Sequence, residues 1–151
     1  IWVTRFEQKD AISLTGHGKR LDIGIERVHD GVVRGNTAYF TTVNGHVVGF
    51  DLVTLRRTVD FNLNDLNPSE RSLGWCRGLW FLDDDVIVVG FSRIRKTRFV
   101  ENLKWLAGHV DESIAGQQAT RIAAYNIRQN KLLWEVPVES LGLNAIFSVV
   151  G

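Results

Sequence analysis

Three short segments carry the side chains best suited to chemistry, and each reads polar, small, aliphatic. They are Asp30-Gly31-Val32, Arg77-Gly78-Leu79 and Asn144-Ala145-Ile146. If the three polar groups occupy equivalent positions and converge, Arg77 would bind an anionic ligand, or Asp30 and Asn144 would bind an oxygen-seeking cation. The alternative is structural: the groups bond the backbones of neighbouring strands, and Asp30 and Arg77 neutralise each other.

His29 precedes Asp30, so these two residues are the candidate catalytic pair, with an imidazole or a carboxylate as general base. A histidine beside an aspartate can equally be structural. The other histidines, His17, His46 and His109, have no metal-ligand spacing, and no metal site is predicted. The sequence contains no HExxH, P-loop, GxSxG or GxGxxG motif. Whether the protein is an enzyme therefore stays uncertain, and any cofactor is unknown.

A basic run at residues 92–98 is a second candidate binding element. Arg93 and Arg95 alternate, so on a strand they share one face, and Arg121 would lie nearby. These arginines predict contact with an anion or a phosphate group. The alternative is a solvated strand end.

The elements that must position these residues follow a period of two, which predicts strands. Residues 28–63 contain four such runs, and Asn44-Gly45 between two of them predicts a type I′ hairpin turn. The same plan returns over residues 75–138. The runs at residues 46–52 and 121–127 match, and Asp51 and Asn126 are expected to cap the turns that follow them.

Two partial units flank these, with three runs in residues 1–25 and one in residues 143–150. Repeated four-stranded units of about 40 residues indicate an all-β fold of β-propeller blades. Residues 1–151 then form one domain or segment, with a partial blade at 1–27, blades at 28–74 and 75–140, and the first strand of a next or closing blade at 141–151. A β-sandwich or a barrel of hairpins is the alternative.

Three blades are fewer than the 4 to 8 of a closed propeller. The chain is therefore expected to be half of a six-bladed ring made by two copies or a segment of a longer propeller. The absence of methionine, even at position 1, favours a processed or partial chain.

One insertion interrupts the repeat at residues 96–119. Phe99, Leu103 and Leu106 follow a helical spacing, which predicts a short amphipathic helix before a polar loop. The insertion would either cover a blade edge or act as a lid or partner-docking element.

The composition excludes several classes of protein. A net charge of +1 argues against a nucleic-acid partner, and no apolar run is long enough to cross a membrane. Cys76 is the single cysteine, so no internal disulfide can form. It is expected to be buried and unreactive. A lone thiol fits a reducing compartment, and we expect a cytoplasmic protein.

The sequence resembles a family of uncharacterised bacterial propeller proteins, some of them fused to tetratricopeptide repeats. Gly-Trp-Cys-Arg-Gly at residues 74–78 is the most specific of the motifs that carry the resemblance, which covers residues 28–151. The others are His29-Asp30-Gly31, Gly90-Phe91-Ser92-Arg93-Ile94-Arg95 and residues 142–148. Family members are about twice as long, which implies a C-terminal part. The family has no settled activity, so the resemblance implies a fold and not a function.

The fold is also similar to six-bladed lactonase-like propellers, which hold a divalent cation with Glu, Asn and Asp. Asp30 and Asn144 would match two of these ligands, but no matching Glu is apparent and Arg77 opposes a cation.

Three functions follow from these features. The first is a module that binds a ligand or a protein through a polar channel face or through the insertion. The second is a lactonase-, hydrolase- or lyase-like enzyme acting on a small anionic or sugar-like substrate. The third is a structural segment whose open blade edges pair with another chain. The expected partners are a small anionic ligand and either the rest of a propeller or a second copy of the chain.

Overall fold

The computed structural model describes residues 1–25, 27–67, 69, 72–93 and 118–151. These residues form an all-β structure of three antiparallel sheets, which confirms the predicted fold class. The predicted insertion, with its helix, and Arg95 lie outside the described residues, apart from Gln118 and Ala119. In the described ranges, no helix is long and apolar enough to cross a membrane.

The sheets follow the chain in order, and neighbouring strands within a sheet are joined by short connections, except β9 and β10, which residues 93–120 separate in the chain. Sheet 1 has the order β1-β2-β3, sheet 2 the order β4-β5-β6-β7, and sheet 3 the order β11-β10-β9-β8. The strands are β1 Trp2–Arg5, β2 Asp10–Ser13, β3 Arg20–Asp22, β4 Val28–Arg34, β5 Thr37–Thr42, β6 His46–Asp51, β7 Arg57–Asn62, β8 Trp75–Phe81, β9 Val86–Ser92, β10 Arg121–Asn126 and β11 Lys131–Pro137.

The three sheets stack face to face, as propeller blades do, because the central sheet 2 contributes apolar side chains to a core on each of its two faces. One core lies between sheets 1 and 2 and includes Leu21, Phe40 and Phe50. A second core lies between sheets 2 and 3 and includes Phe61, Phe91 and Tyr125. The period of two in the sequence thus indicates strands, because successive side chains point to opposite faces of a sheet and, in sheet 2, enter different cores.

The turn chemistry was predicted correctly at two points. Asp51 Oδ1 accepts hydrogen bonds from the backbone N–H of Val53 at 3.1 Å and of Thr54 at 2.6 Å. Asn126 Oδ1 accepts one from the backbone N–H of Gln129 at 2.7 Å. Each side chain therefore caps the turn that follows its strand.

The predicted type I′ turn at Asn44-Gly45 is wrong. Gly45 has a positive φ of 88°, but Asn44 is not among the described residues with positive φ. The loop has three residues instead of two, and Gly45 N donates to Thr42 O at 2.9 Å. Such a loop requires the left-handed conformation only at its last position.

The predicted twelfth strand, residues 143–150, is also absent. This segment crosses the face of sheet 3 and pairs with no strand among the described residues. Ile146 N donates to the hydroxyl of Ser92 at 2.8 Å, and a Cβ on Gly90 would lie 2.5 Å from Ile146 Cγ2. Gly90 therefore lets the segment, called the C-terminal segment below, lie directly on β9.

Replacing Phe91 with alanine tests the second core. Phe91 is fully buried, and its ring packs edge-on against Tyr125 at 6.4 Å. We expect Phe91→Ala to lower the free energy of unfolding by roughly 3–5 kcal/mol in urea denaturation, the usual cost of a large cavity. Val53→Ala, at an exposed turn, should change it by less than about 0.5 kcal/mol. Equal effects from the two variants would contradict the described packing.

Candidate functional site

The strands β4 and β8 are neighbouring edge strands of sheets 2 and 3, and three of the predicted site residues, His29, Asp30 and Arg77, lie on them. We call this side of the sheet stack the inner edge. Each strand contains a β-bulge, between Val28 and Gly31 in β4 and between Arg77 and Leu79 in β8. A bulge adds one residue to a strand and re-aims the neighbouring side chain. When the two ladders are superimposed on their bulges, Asp30 corresponds to Gly78, and His29 corresponds to Arg77.

Asp30 joins the two inner strands. Its Oδ2 accepts a hydrogen bond from the backbone N–H of Gly78 at 2.6 Å and lies 3.0 Å from His29 Nδ1. Cys76 N supports the same junction by donating to Val43 O at 3.1 Å. Partial burial opposes ionisation, but the hydrogen bonds to His29 and Gly78 outweigh it, so the pKa of Asp30 is lowered. Asp30 is therefore a carboxylate at neutral pH.

His29 lies beside this carboxylate because it directly precedes Asp30 in the chain. About a quarter of each side chain is exposed, 26% for His29 and 28% for Asp30. Because the Nδ1 edge of His29 faces Asp30, the carboxylate orients the ring and directs Nε2 elsewhere. This arrangement can position an imidazole for proton transfer or simply fix the strand.

Arg77 lies between two aromatic rings. Its guanidinium carbon is 5.0 Å from the ring centroid of Trp75 and 5.4 Å from that of Phe147. Trp75 is two residues away on β8 and thus on the same face, whereas Phe147 comes from the C-terminal segment. Stacking of this kind stabilises a cation by about 0.5–2 kcal/mol and fixes the plane of the guanidinium. We call the group of His29, Asp30, Trp75, Arg77 and Phe147 the inner-edge site.

The prediction that Asp30, Arg77 and Asn144 occupy equivalent positions is wrong. The bulges offset Arg77 from Asp30 by one residue. A Cβ on Gly78 would meet Val149 N at 2.7 Å, so Val149 and not Asn144 lies against the bulge of β8. Asn144 is exposed, and its carbonyl oxygen accepts from Thr120 Oγ1 at 3.2 Å. Its binding role stays a prediction.

Of the arginines predicted to bind an anion, Arg93 and Arg121 lie in the described residues, and both pair with glutamates. Arg93 forms a two-pronged pair with Glu139, Nε to Oε1 at 2.8 Å and Nη2 to Oε2 at 2.9 Å. Arg121 is only 4% exposed; its Nε donates to Glu135 Oε1 at 2.9 Å and its Nη1 to Leu73 O at 2.9 Å. The structure does not bring these arginines to the inner-edge site, and their anion-binding role stays a prediction.

Glu139 also accepts a hydrogen bond from Thr120 N at 2.8 Å. The same carboxylate therefore connects Arg93, the residue after β9, to Thr120, the residue before β10. Three donors to one carboxylate, led by the backbone N–H of Thr120, lower the pKa of Glu139. This cluster fixes Arg93 and Thr120, the two positions between which residues 94–119 are inserted.

Cys76 is fully buried in the second core, as predicted. Burial raises the pKa of its thiol well above the ordinary value, so the reactive thiolate is disfavoured. Among the residues described, no group of three or more His, Cys, Asp or Glu side chains could hold a metal ion.

Sequence reasoning missed the partners of the predicted residues. For Glu135 the repeat offered a signal. His46 and Arg121 occupy matching positions in the two sheets, as do Asp60 and Glu135, and both pairs are ion pairs. Phe147 had none, since its contact with Arg77 depends on the path that the C-terminal segment takes across sheet 3.

No family model matches the sequence, and no curated protein matches it significantly. The chain is similar to one chain of a solved structure titled "Complex of KlAtg21 with coiled-coil of AgAtg16", with 7% sequence identity and a TM-score of 0.46. The match covers 86% of this chain and 34% of that chain. This chain thus spans about a third of the length of the other, and a likeness this distant supports no conclusion about fold or function.

The lowered pKa of Asp30 predicts a pH-dependent stability. In the unfolded chain the pKa returns to about 4, so Asp30 stabilises the fold above that pH, and this contribution is lost as the pH falls through the lower folded value. Urea unfolding between pH 3 and 7 should show wild type and Asp30→Asn differing most at neutral pH and converging below about pH 4. A stability difference that does not depend on pH would contradict the assignment.

Proposed function

We propose that this protein is a binding module of propeller type that recognises an anionic group of a small ligand or a protein at the inner-edge site. The observation that carries the proposal is the position of Arg77 between the rings of Trp75 and Phe147. Stacked rings fix the plane of a guanidinium, and a fixed plane matches the paired oxygens of a carboxylate or phosphate. Phe147 is 67% exposed, so one wall of the site is open to solvent.

Binding fits the site better than catalysis because the Asp30 carboxylate is already hydrogen-bonded within the fold. Its Oδ2 contacts both Gly78 N and His29 Nδ1, and its lowered pKa makes it a poor proton acceptor. In the described part of the chain, no hydroxyl or thiol is hydrogen-bonded to the His29 ring, so the pair lacks a positioned nucleophile.

We also propose membership of the bacterial propeller family that the sequence resembles, in a cytoplasmic setting. Support for the family comes from the roles of its glycines. Gly74 has a φ of 87° and Gly78 a φ of 71°, and a Cβ on Gly74 would lie 2.6 Å from Ser92 O. The Gly-Trp-Cys-Arg-Gly string therefore has backbone requirements at both ends.

Binding can be measured by thermal shift and calorimetry with citrate, succinate and inorganic phosphate as probes. We expect at least one probe to stabilise the wild type, by about 2.7 kcal/mol at a concentration of 100 Kd. Arg77→Gln should abolish this stabilisation. Arg34→Gln is the matched control, because Arg34 also stacks on an aromatic ring, at 5.0 Å from the Phe81 centroid, but pairs with Asp84 elsewhere. Loss of binding in both variants, or in neither, would contradict the site.

A hydrolytic enzyme is the second candidate function, and the contact between His29 and Asp30 favours it. An imidazole oriented by a carboxylate can act as a general base, with Arg77 holding the anionic part of the substrate. This candidate requires that water or a substrate hydroxyl serve as the nucleophile.

Turnover of lactones and activated esters separates the two functions. The binding proposal predicts no turnover above a heat-denatured control. If turnover is found, the enzyme candidate predicts a loss of about 100-fold or more in kcat for His29→Gln, because a positioned base contributes at least that factor. Turnover that is unchanged in His29→Gln would exclude this residue as the base.

A further inference from the structure

Of the five residues of the inner-edge site, Phe147 alone lies outside the strands. Its ring centroid is 5.4 Å from the Arg77 guanidinium carbon, but the C-terminal segment that contains it pairs with no described strand. The ladder hydrogen bonds that place a side chain in a regular sheet are therefore not what holds this ring. The contacts of the residues directly before Phe147 show how the segment is attached to sheet 3.

The hydroxyl of Ser92 makes the first attachment. Ile146 N donates to Ser92 Oγ at 2.8 Å, and Ser92 Oγ donates to Ile146 O at 3.1 Å. One hydroxyl thus satisfies both backbone groups of Ile146, the part that a facing residue plays in an antiparallel ladder. Ser92 is 6% exposed, so these bonds are shielded from water.

The hydroxyl of Thr120 makes the second attachment. Its Oγ1 donates to Asn144 O at 3.2 Å and accepts a hydrogen bond from Arg93 N at 3.1 Å. Thr120 is fully buried, so both bonds are shielded from water. The segment is therefore attached at Asn144 and Ile146, two of the three residues that precede Phe147.

Thr120 is a fixed anchor because its backbone groups are bonded as well. Its N–H donates to Glu139 Oε1 at 2.8 Å, and its C=O accepts from Val138 N at 2.9 Å. Glu139 in turn accepts from Arg93 Nε at 2.8 Å. Since Arg93 and Thr120 flank the insertion, the base of the insertion and the attachment of Phe147 belong to one hydrogen-bond network.

We propose that Ser92 and Thr120 are positioning residues of the inner-edge site. Their hydroxyls hold the C-terminal segment on sheet 3 and so place the Phe147 ring over the Arg77 guanidinium. The fixed plane of that guanidinium, which suits the paired oxygens of a carboxylate or phosphate, then depends on two buried hydroxyls that act through Phe147. The effect on ligand affinity rests on the proposed function, whereas the effect on the ring does not.

Proton NMR of the ligand-free chain tests the positioning itself. The rings on either side of Arg77 shift its side-chain resonances upfield, and Phe147→Ala should remove the share that comes from Phe147. Ser92→Ala and Thr120→Val should each move the resonances in the same direction, because the segment loses an attachment. Thr120→Ser keeps the hydroxyl and should give the wild-type values.

Ser13→Ala is the matched control for a lost hydroxyl. Ser13 is 7% exposed, and its Oγ accepts from the backbone N–H of Gly16 at 2.7 Å in sheet 1. It should leave the Arg77 resonances unchanged, although it removes a bond of the same kind. Resonances that stay unchanged in either Ser92→Ala or Thr120→Val, or that move equally in Ser13→Ala, would overturn the proposal.

Amide exchange on the wild type gives a test that needs no variant to fold. The Ile146 amide should be protected from exchange, because Ser92 Oγ accepts its hydrogen bond although no described strand pairs with the segment. Exchange at the rate of an exposed amide would overturn the attachment.

A double-mutant cycle on affinity for citrate, succinate and inorganic phosphate separates positioning from a general loosening of the fold. For a probe that binds the wild type, Ser92→Ala should weaken binding by about 5-fold, the equivalent of one cation–π contact. In the Phe147→Ala background the same substitution should have no further effect, because the ring through which Ser92 acts is gone. An equal loss in both backgrounds would overturn the proposal. Absence of binding to the wild type would refute the proposed function instead, and the NMR shifts would still decide the positioning.

Discussion

The hydrogen bond from Gly78 N to the Asp30 carboxylate sets the geometry of the inner edge. β4 and β8 belong to different sheets but come so close there that the Asp30 side chain of β4 accepts the hydrogen bond of a backbone N–H of β8. The side chain thus takes the part that a neighbouring strand plays in a regular sheet. A bond of this kind to a charged acceptor contributes about 1.5–3 kcal/mol. It uses a bulge in β4 to present the carboxylate and a bulge in β8 at Gly78, whose φ of 71° favours glycine. Packing of the cores holds the sheets together, but this bond fixes how they are aligned.

The site follows from that alignment. With the bulge at Gly78, Arg77 is directed to the face of sheet 3 opposite the second core, where Trp75 also lies. The C-terminal segment runs over the glycines of the same face and adds Phe147 to the other side of the guanidinium. Asp30 meanwhile is used for structure. Because the Asp30 carboxylate is hydrogen-bonded within the fold and Arg77 is stacked between two rings, we propose recognition of an anion for this site and not acid-base chemistry.

Much of the fold could be predicted from the sequence, because alternation and turn chemistry are local. The turns after Asp51 and Asn126 and the strands of sheets 2 and 3 are where the repeat predicts them. The register of the inner strands could not be predicted, since a bulge adds one residue without a change in residue type. Matching polar residues by type therefore placed Arg77 in line with Asp30, whereas the ladders align it with His29. The buried pairing of Arg121 was missed for a related reason: its glutamate lies on a neighbouring strand.

The amide of Gly78 provides the most direct test of the central claim that Asp30 joins the two inner strands. We predict that this amide is protected from exchange in the wild type, although its residue lies in a bulge outside the regular ladder. In Asp30→Ala its protection should fall to that of an exposed turn, while the amides of the regular β8–β9 ladder stay protected. Fast exchange of the Gly78 amide in the wild type, or unchanged protection in Asp30→Ala, would contradict the account.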